Sequence, residues 1–273
     1  MTRDRLLFGL QLGFTLLVCA FLVVPVVLSI LAGLTVNYFV GLSSGLTLRW
    51  VVEVWNGYRD TLFLSAWLSI ACLAIVLVLG VPTAYVLARS KNALGRAIEE
   101  LLVMPIAVPG LATALALIVT YGSLSGFRTS TAFILVGHVL FTLPFMVRSV
   151  LAVFSVIDLT TLEEGAASLG AGFWRRFRDI VLPNARNGIL AGSLMVVTLS
   201  MGEFNMTWLL HTPFTKTLPV GLADAYASLR LEIGSAYTLV FFLMITPLLT
   251  ALQLFSRPRT QRFVADGKDE VSP

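Results

Sequence analysis

The chain has 273 residues, of which 57% are hydrophobic and only 12% charged, and its net charge is +4 at pH 7. A soluble domain carries about 25% charged residues, so this chain has too little polar surface to cover a water-soluble particle and belongs with integral membrane proteins. The positive balance is not a nucleic-acid footprint, because the lysines are scattered and the arginines lie beside apolar runs, where membrane topology accounts for them.

Six runs reach the ~20 mostly apolar residues needed to cross a hydrocarbon layer. In chain order they are 10–31, 61–87, 101–121, 132–154, 189–210 and 235–255. The first is longer than a signal-peptide core and no clean small-x-small cleavage site follows it, so it is expected to stay as a span. The third and fourth contain Pro105, Pro109 and Pro144, and kinks rather than breaks are expected there. Cys19 and Cys72 each sit inside an apolar run and read as small hydrophobes, with no disulfide, metal site or cofactor implied. The expected fold is an all-α integral membrane protein with six transmembrane helices. A first helix and external loop (1–60) precede a core of five spans (61–255) and a charged cytoplasmic tail (256–273).

Orientation follows from lysine and arginine in alternating loops. One side holds Arg3, Arg5, Arg89, Lys91, Arg96, Arg175, Arg176, Arg178, Arg186, Arg257, Arg259, Arg262 and Lys268. The other holds Arg49, Arg59, Arg128, Lys216 and Arg230. The richer side is the cytoplasmic one, so both termini and the loop between spans four and five are expected there. Arg148 sits near the inner end of span four and is expected to snorkel to the surface.

That loop is the least lipid-like part of the chain. Asp158 or a following threonine can cap a helix, and Thr161 with Glu164 fits the capping-box spacing. Leu162, Ala166 and Leu169 fall on one helical face. Gly170 and Gly172 can end the helix. A second short amphipathic helix carries Phe173, Phe177, Ile180 and Val181 on one side and Arg175, Arg176 and Arg178 on the other, and Pro183 is expected to stop it. The arginines read mainly as positive-inside and anionic-lipid contacts. The expected result is two short helices meeting at a glycine elbow, with apolar faces too small to fold alone.

Glu164-Gly165-Ala166, three residues, Gly170, nine residues, then Ile180-Val181-Leu182-Pro183 resembles the signature loop of binding-protein-dependent ABC importer permeases. The departure is Gly165, where the family has alanine; glycine weakens a helix by about 1 kcal/mol. The resemblance implies a type I inner-membrane permease whose loop docks on a cytoplasmic ATP-binding subunit. Glu164, Gly165, Ala166, Ala167, Leu169, Gly170, Ile180, Leu182 and Pro183 would be its docking elements. It further implies a second permease subunit, non-identical in the favoured branch, and an external solute-binding protein. The phosphate-cradling pattern G-x-x-x-x-G-K-[S/T] is absent from the sequence, so ATP hydrolysis is expected in a partner chain and the permease itself is not an enzyme.

Ionisable groups inside spans are candidates for the translocation path. Glu203 and His138 both fall in the outer half of the layer, and Asn205 lies two positions beyond Glu203, on another side of an expected helix. Glu203 has two open readings, lining the path or serving as a structural carboxylate, and His138 reads mainly as a packing histidine. Outside, Lys216 to Val220 and Ser228 to Ile233 resemble the second permease of spermidine/putrescine importers. That branch also takes iron, aminoethylphosphonate and other solutes. An ion-coupled secondary transporter is the rival class, but the chain shows no convincing internal repeat and one carboxylate is thin for a relay.

Overall fold

The structure, a computed structural model, describes residues 2–90 and 92–256. Lys91 and the expected tail, except for its first residue Ser256, lie outside the described residues. The chain runs α1 (Thr2–Ala32), α2 (Arg49–Arg89), α3 (Ala93–Ala107), α4 (Gly110–Tyr121), a single turn α5 (Ser125–Arg128), α6 (Thr131–Phe154), α7 (Leu159–Ser168), α8 (Phe173–Arg176), a π turn (Phe177–Val181), α9 (Leu182–Gly202), α10 (Asn205–Leu210), α11 (Leu218–Ala227) and α12 (Leu231–Ser256). Five helical stretches are long and apolar enough to cross a membrane, and α3 with α4, a pair sharply bent at a short break, makes a sixth when counted as one span. The all-α, six-span expectation holds.

The centre of the bundle is a triangle of α2, α6 and α9. Lipid is as apolar as leucine, so helices in a membrane associate through close packing and small residues rather than through hydrophobic burial. Gly188 and Gly192, four apart on one face of α9, supply the close approach to α6. A Cβ at the first would lie 2.6 Å from the Ser149 carbonyl oxygen and one at the second 2.6 Å from Met146 Sδ. Around this contact Cys72, Val76, Val81, Met146, Val150, Val181 and Val196 form the inner core. An outer core joins Leu68, Ala114, Leu117, Phe133, Ile134, Met206 and Leu210.

At 41 residues, α2 is about 60 Å long, twice the ~30 Å hydrocarbon layer. Its outer turns therefore leave the bilayer, where Arg230 pairs with Glu53 at 2.7 Å and donates to the Tyr58 hydroxyl at 2.6 Å. In contrast, α1 stands at the edge of the bundle with none of its most apolar window buried, and touches α12 where Gly33 approaches Ala236.

Two spans depart from the expected continuous helices. The third is broken, not kinked: α3 and α4 meet at 105°. Pro109 pushes Val108 into an extended conformation (φ −87°, ψ 126°) and brings no N–H to bond back along the helix. Pro105 and Pro144 lie within α3 and α6, which run through them. The fifth span is also broken. α9 stops at Gly202, Glu203 is extended (φ −70°, ψ 116°), and the six-residue α10 completes the run. Glu203 and Asn205 thus flank a break rather than share one helix.

Candidate functional site

The loop between α6 and α9 begins as its sequence demands. Asp158 is the cap of α7, accepting from Thr161 N at 3.2 Å and Thr161 Oγ1 at 2.6 Å, so the capping-box reading of Thr161 with Glu164 gives way to an aspartate three residues earlier. At the other end Gly170 takes φ +83°. Its N–H donates to Ala167 O at 2.9 Å and that of Ala171 to Ala166 O at 3.0 Å, the paired bonds of a Schellman ending. The glycine elbow is therefore present and leads directly to α8.

α7 divides its residues between an inner and an outer face. Its inward residues are Leu159 and Glu163, both buried, with Ala166 half-buried. Leu162 and Leu169 are 44% and 89% exposed, so the apolar face expected for them and Ala166 is split, with the leucines outward and Ala166 inward. The reason is Glu163, which is polar but fully partnered inside. Its Oε1 accepts from the Tyr85 hydroxyl at 2.8 Å and its Oε2 from Arg89 Nη1 at 2.7 Å. Glu164, Gly165, Ala167 and Gly170 are exposed. On the outer side of the loop α7 thus exposes Leu162, Glu164 and Leu169, and α8 exposes Trp174 (77%).

Pro183 does not stop the second helix. α8 continues through the π turn into α9, so Pro183 lies inside one helical run, just past the stretch where the backbone bonding widens. The turn widens so that Leu182 N–H bonds to Phe177 O, five residues back. The carbonyl of Ile180 takes the Asn184 side-chain amide at 2.8 Å. Ile180 and Leu182 are half-buried and Pro183 is exposed. Arg175 and Arg178 lie 3.9 and 3.7 Å from Asp179, on exposed surface. Arg148 is exposed on α6.

Among the path candidates the structure brings two together and leaves one apart. Glu203 folds forward over the start of α10: Oε1 accepts from Met206 N at 3.0 Å, and Oε2 from Thr207 N and Thr207 Oγ1, both at 2.9 Å. The His138 ring is 1% exposed and spans Ser200 Oγ (2.8 Å) and Thr207 Oγ1 (2.9 Å). One polar chain therefore runs Ser200–His138–Thr207–Glu203 between α6, α9 and α10. Gly110, the first residue of α4, lies against it, with its Cβ position 3.4 Å from Glu203 Oε1, so the two broken spans meet at their breaks. Asn205 is exposed and outside this chain. At the far end of α10, Arg128 donates to Leu209 O (3.2 Å) and Leu210 O (2.8 Å) across the Phe133 ring.

Tyr85, Glu163 and Ser200 had no role in the sequence reading, and Arg89 and Arg128 entered it only as charges beside the spans. Only Glu163 left a signal there, standing four residues after Leu159 on what proves to be the inner face.

Residues 80–261 match the model of the family described as "Binding-protein-dependent transport system inner membrane component". The chain is 26% identical to the spermidine/putrescine transport system permease protein PotC of Escherichia coli K12, covering 97% of this chain and 99% of that one. It is also 26% identical to the molybdenum transport system permease protein ModB of Mycobacterium tuberculosis H37Rv (76% and 83%). Against the sulfate transport system permease protein CysW of Synechocystis the identity is 27% (70% and 75%). Its fold is shared with a chain of a bacterial ABC transporter involved in the import of alginate, at a TM-score of 0.72 and 17% identity over 95% of this chain and 98% of that one. A second structure of a bacterial alginate ABC transporter, in complex with an alginate pentasaccharide-bound periplasmic protein, matches equally well, with a TM-score of 0.72 and 18% identity over 94% and 95%. A six-span α-bundle with an exposed two-helix loop between spans four and five, matched by that model over two thirds of its length, belongs to the binding-protein-dependent ABC importer permeases of the inner membrane.

Proposed function

We infer that this permease is driven by a separate ATP-hydrolysing subunit that grips the outward face of the α7–α8 loop. The observation that carries the reading is that Glu164, Leu162, Leu169 and Trp174 stand exposed on a loop whose opposite face is fixed by the buried Glu163. An apolar ridge with a carboxylate beside it fits a groove containing a basic side chain. A second permease subunit and an external solute-binding protein complete the assembly, the latter supported by the complex seen for the alginate transporter. The loop and both termini face the cytoplasm.

We propose a polyamine or related small organic cation as the solute. Support comes from the end-to-end match to the spermidine/putrescine permease and from the residues around Lys216 and Arg230 that resemble that branch. The relatives that carry molybdenum and sulfate favour a second reading, an oxyanion. Of the path candidates, Asn205 is the exposed one and is assigned to the path; Glu203 and His138 satisfy each other's surroundings and hold the break. Cells expressing the permease with its partner subunits should take up labelled spermidine in an ATP-dependent way, with unlabelled putrescine competing. Competition by molybdate or sulfate instead would assign the solute to the oxyanions.

A further inference from the structure

The inner end of α2 is tied to both halves of the coupling loop at one place. Arg89 Nη1 donates to Glu163 Oε2 at 2.7 Å and to the Tyr85 hydroxyl at 2.8 Å, while that hydroxyl donates to Glu163 Oε1 at 2.8 Å. The three groups close a ring of hydrogen bonds, and the Arg89 guanidinium also lies 5.6 Å from the centre of the Tyr85 ring. The other side of the same tyrosine meets the second half of the loop: Phe177 edge-on at 5.5 Å and Phe173 at 6.4 Å. Glu163 is buried on α7, and Arg89 is half in water at the last residue of α2. Charge-assisted bonds that share one carboxylate hold their partners in a fixed geometry.

What leads away from this ring is the one membrane crossing that is both central and uninterrupted over more than 40 residues. α2 continues to Arg49 without a break, running through Pro82, whereas the third span and the α9–α10 run are each broken. At its outer end Glu53 and Tyr58 are held by Arg230, at the start of α12. A rigid rod clamped at both ends carries a displacement from one to the other; a broken span absorbs it.

We propose that Tyr85, Arg89 and Glu163 form a latch that transmits movement of the coupling loop into α2, and through α2 to the outer segment held by Arg230. These are positioning residues, distinct from the outward docking face. The inference rests on the reading of that face as the ATPase contact, so its test separates the two.

The experiment uses the full-length permease, with Cys19 and Cys72 replaced by serine, purified with its ATP-hydrolysing partner and second permease in lipid. A spin label is placed at position 52, on the exposed outer part of α2. In the parent complex, trapping Mg-ATP with vanadate should change the label's spectrum. In Glu163→Gln and in Arg89→Gln that response should fall about fivefold or more, while partner capture and basal ATP hydrolysis stay at the parental level. The double variant should lose no more than either single one. Glu163→Gln leaves Arg89 access to water. If it still fails to reach the membrane, Tyr85→Phe carries the test, because it keeps the ring contacts with Phe173 and Phe177 and removes only the hydroxyl. A full response in the variants overturns the latch. Loss of partner capture in Glu163→Gln also overturns it, by placing that residue in the docking surface. A parent permease that captures no ATPase overturns the docking reading instead.

Discussion

At the scale of single residues, adjacent glutamates do opposite things. Glu163 is buried and partnered by Tyr85 and Arg89, and Glu164 is exposed. Reversing the exposed charge leaves the fold alone and meets the partner's surface directly. Glu164→Lys is therefore expected to insert in normal amounts and to lose ATPase capture, read by co-purification; normal capture would remove Glu164 from the interface. Two glycines in the same loop separate conformation from propensity. Gly170 has φ +83° with open space around it, so a β-carbon there meets no neighbour but strains the backbone. The left-handed conformation costs an L-residue about 1–2 kcal/mol, so Gly170→Ala should weaken ATPase binding about five- to thirtyfold. Gly165 is helical, also with nothing near its Cβ position. Gly165→Ala gains about 1 kcal/mol of helix propensity and should leave binding unchanged or tighten it. Opposite signs for the two alanines, measured as affinities, check the conformational assignment.

At the scale of elements, the least self-sufficient piece is α10. Six residues make too few hydrogen bonds to hold a helix alone. The Glu203 carboxylate satisfies the first turn's N–H groups and the Arg128 guanidinium the last carbonyls, each complementing the helix dipole. Removing either leaves buried backbone groups without partners, at about 1–3 kcal/mol. Glu203→Ala and Arg128→Met should each lower the thermal midpoint in detergent. Because both hold one cooperative turn and a half, the double variant should lose clearly less than the sum of the two; strict additivity would show that the ends are independent. This element also marks how far the sequence could be read. Six apolar runs, the cap region near Asp158 and the turn at Gly170 are local patterns, and each is present in the fold. The break at Glu203 is not local. It exists because a carboxylate turns onto the chain ahead of it and because His138, 62 to 69 residues away from its partners Ser200 and Thr207, fills the space behind. Likewise the proline pair at 105 and 109 looks uniform in sequence, yet only Pro109 has a glycine after it and a second broken span to pack on. The inward turn of Glu163 is not legible for the same reason, since nothing in the loop reveals that Arg89 waits 74 residues upstream.

At the scale of the whole molecule, the bundle is incomplete by itself. The apolar window of α1 has no buried residue and large hydrophobics line its whole length, as do many on the outer half of α2. Lipid covers such a surface, and so would the proposed second permease. Direction then depends on which end of the bundle carries the coupling loop. From the lysine and arginine asymmetry Ser168, beside the elbow, is expected in the cytoplasm and Ser43, in the α1–α2 connection, outside. Both serines are exposed and sit off the membrane spans, so cysteines there should be tolerated in a background lacking Cys19 and Cys72. A membrane-impermeant maleimide should label the Ser43→Cys variant in intact spheroplasts and the Ser168→Cys variant only after the membrane is opened. The reverse pattern would place the loop beyond the reach of any cytoplasmic ATPase, and the coupling assignment would fall with the orientation. The expected pattern puts Glu164 on the side where ATP is available and Arg230 with the outer end of α2 on the side where a binding protein delivers solute, so the length of α2 spans the distance between the two events.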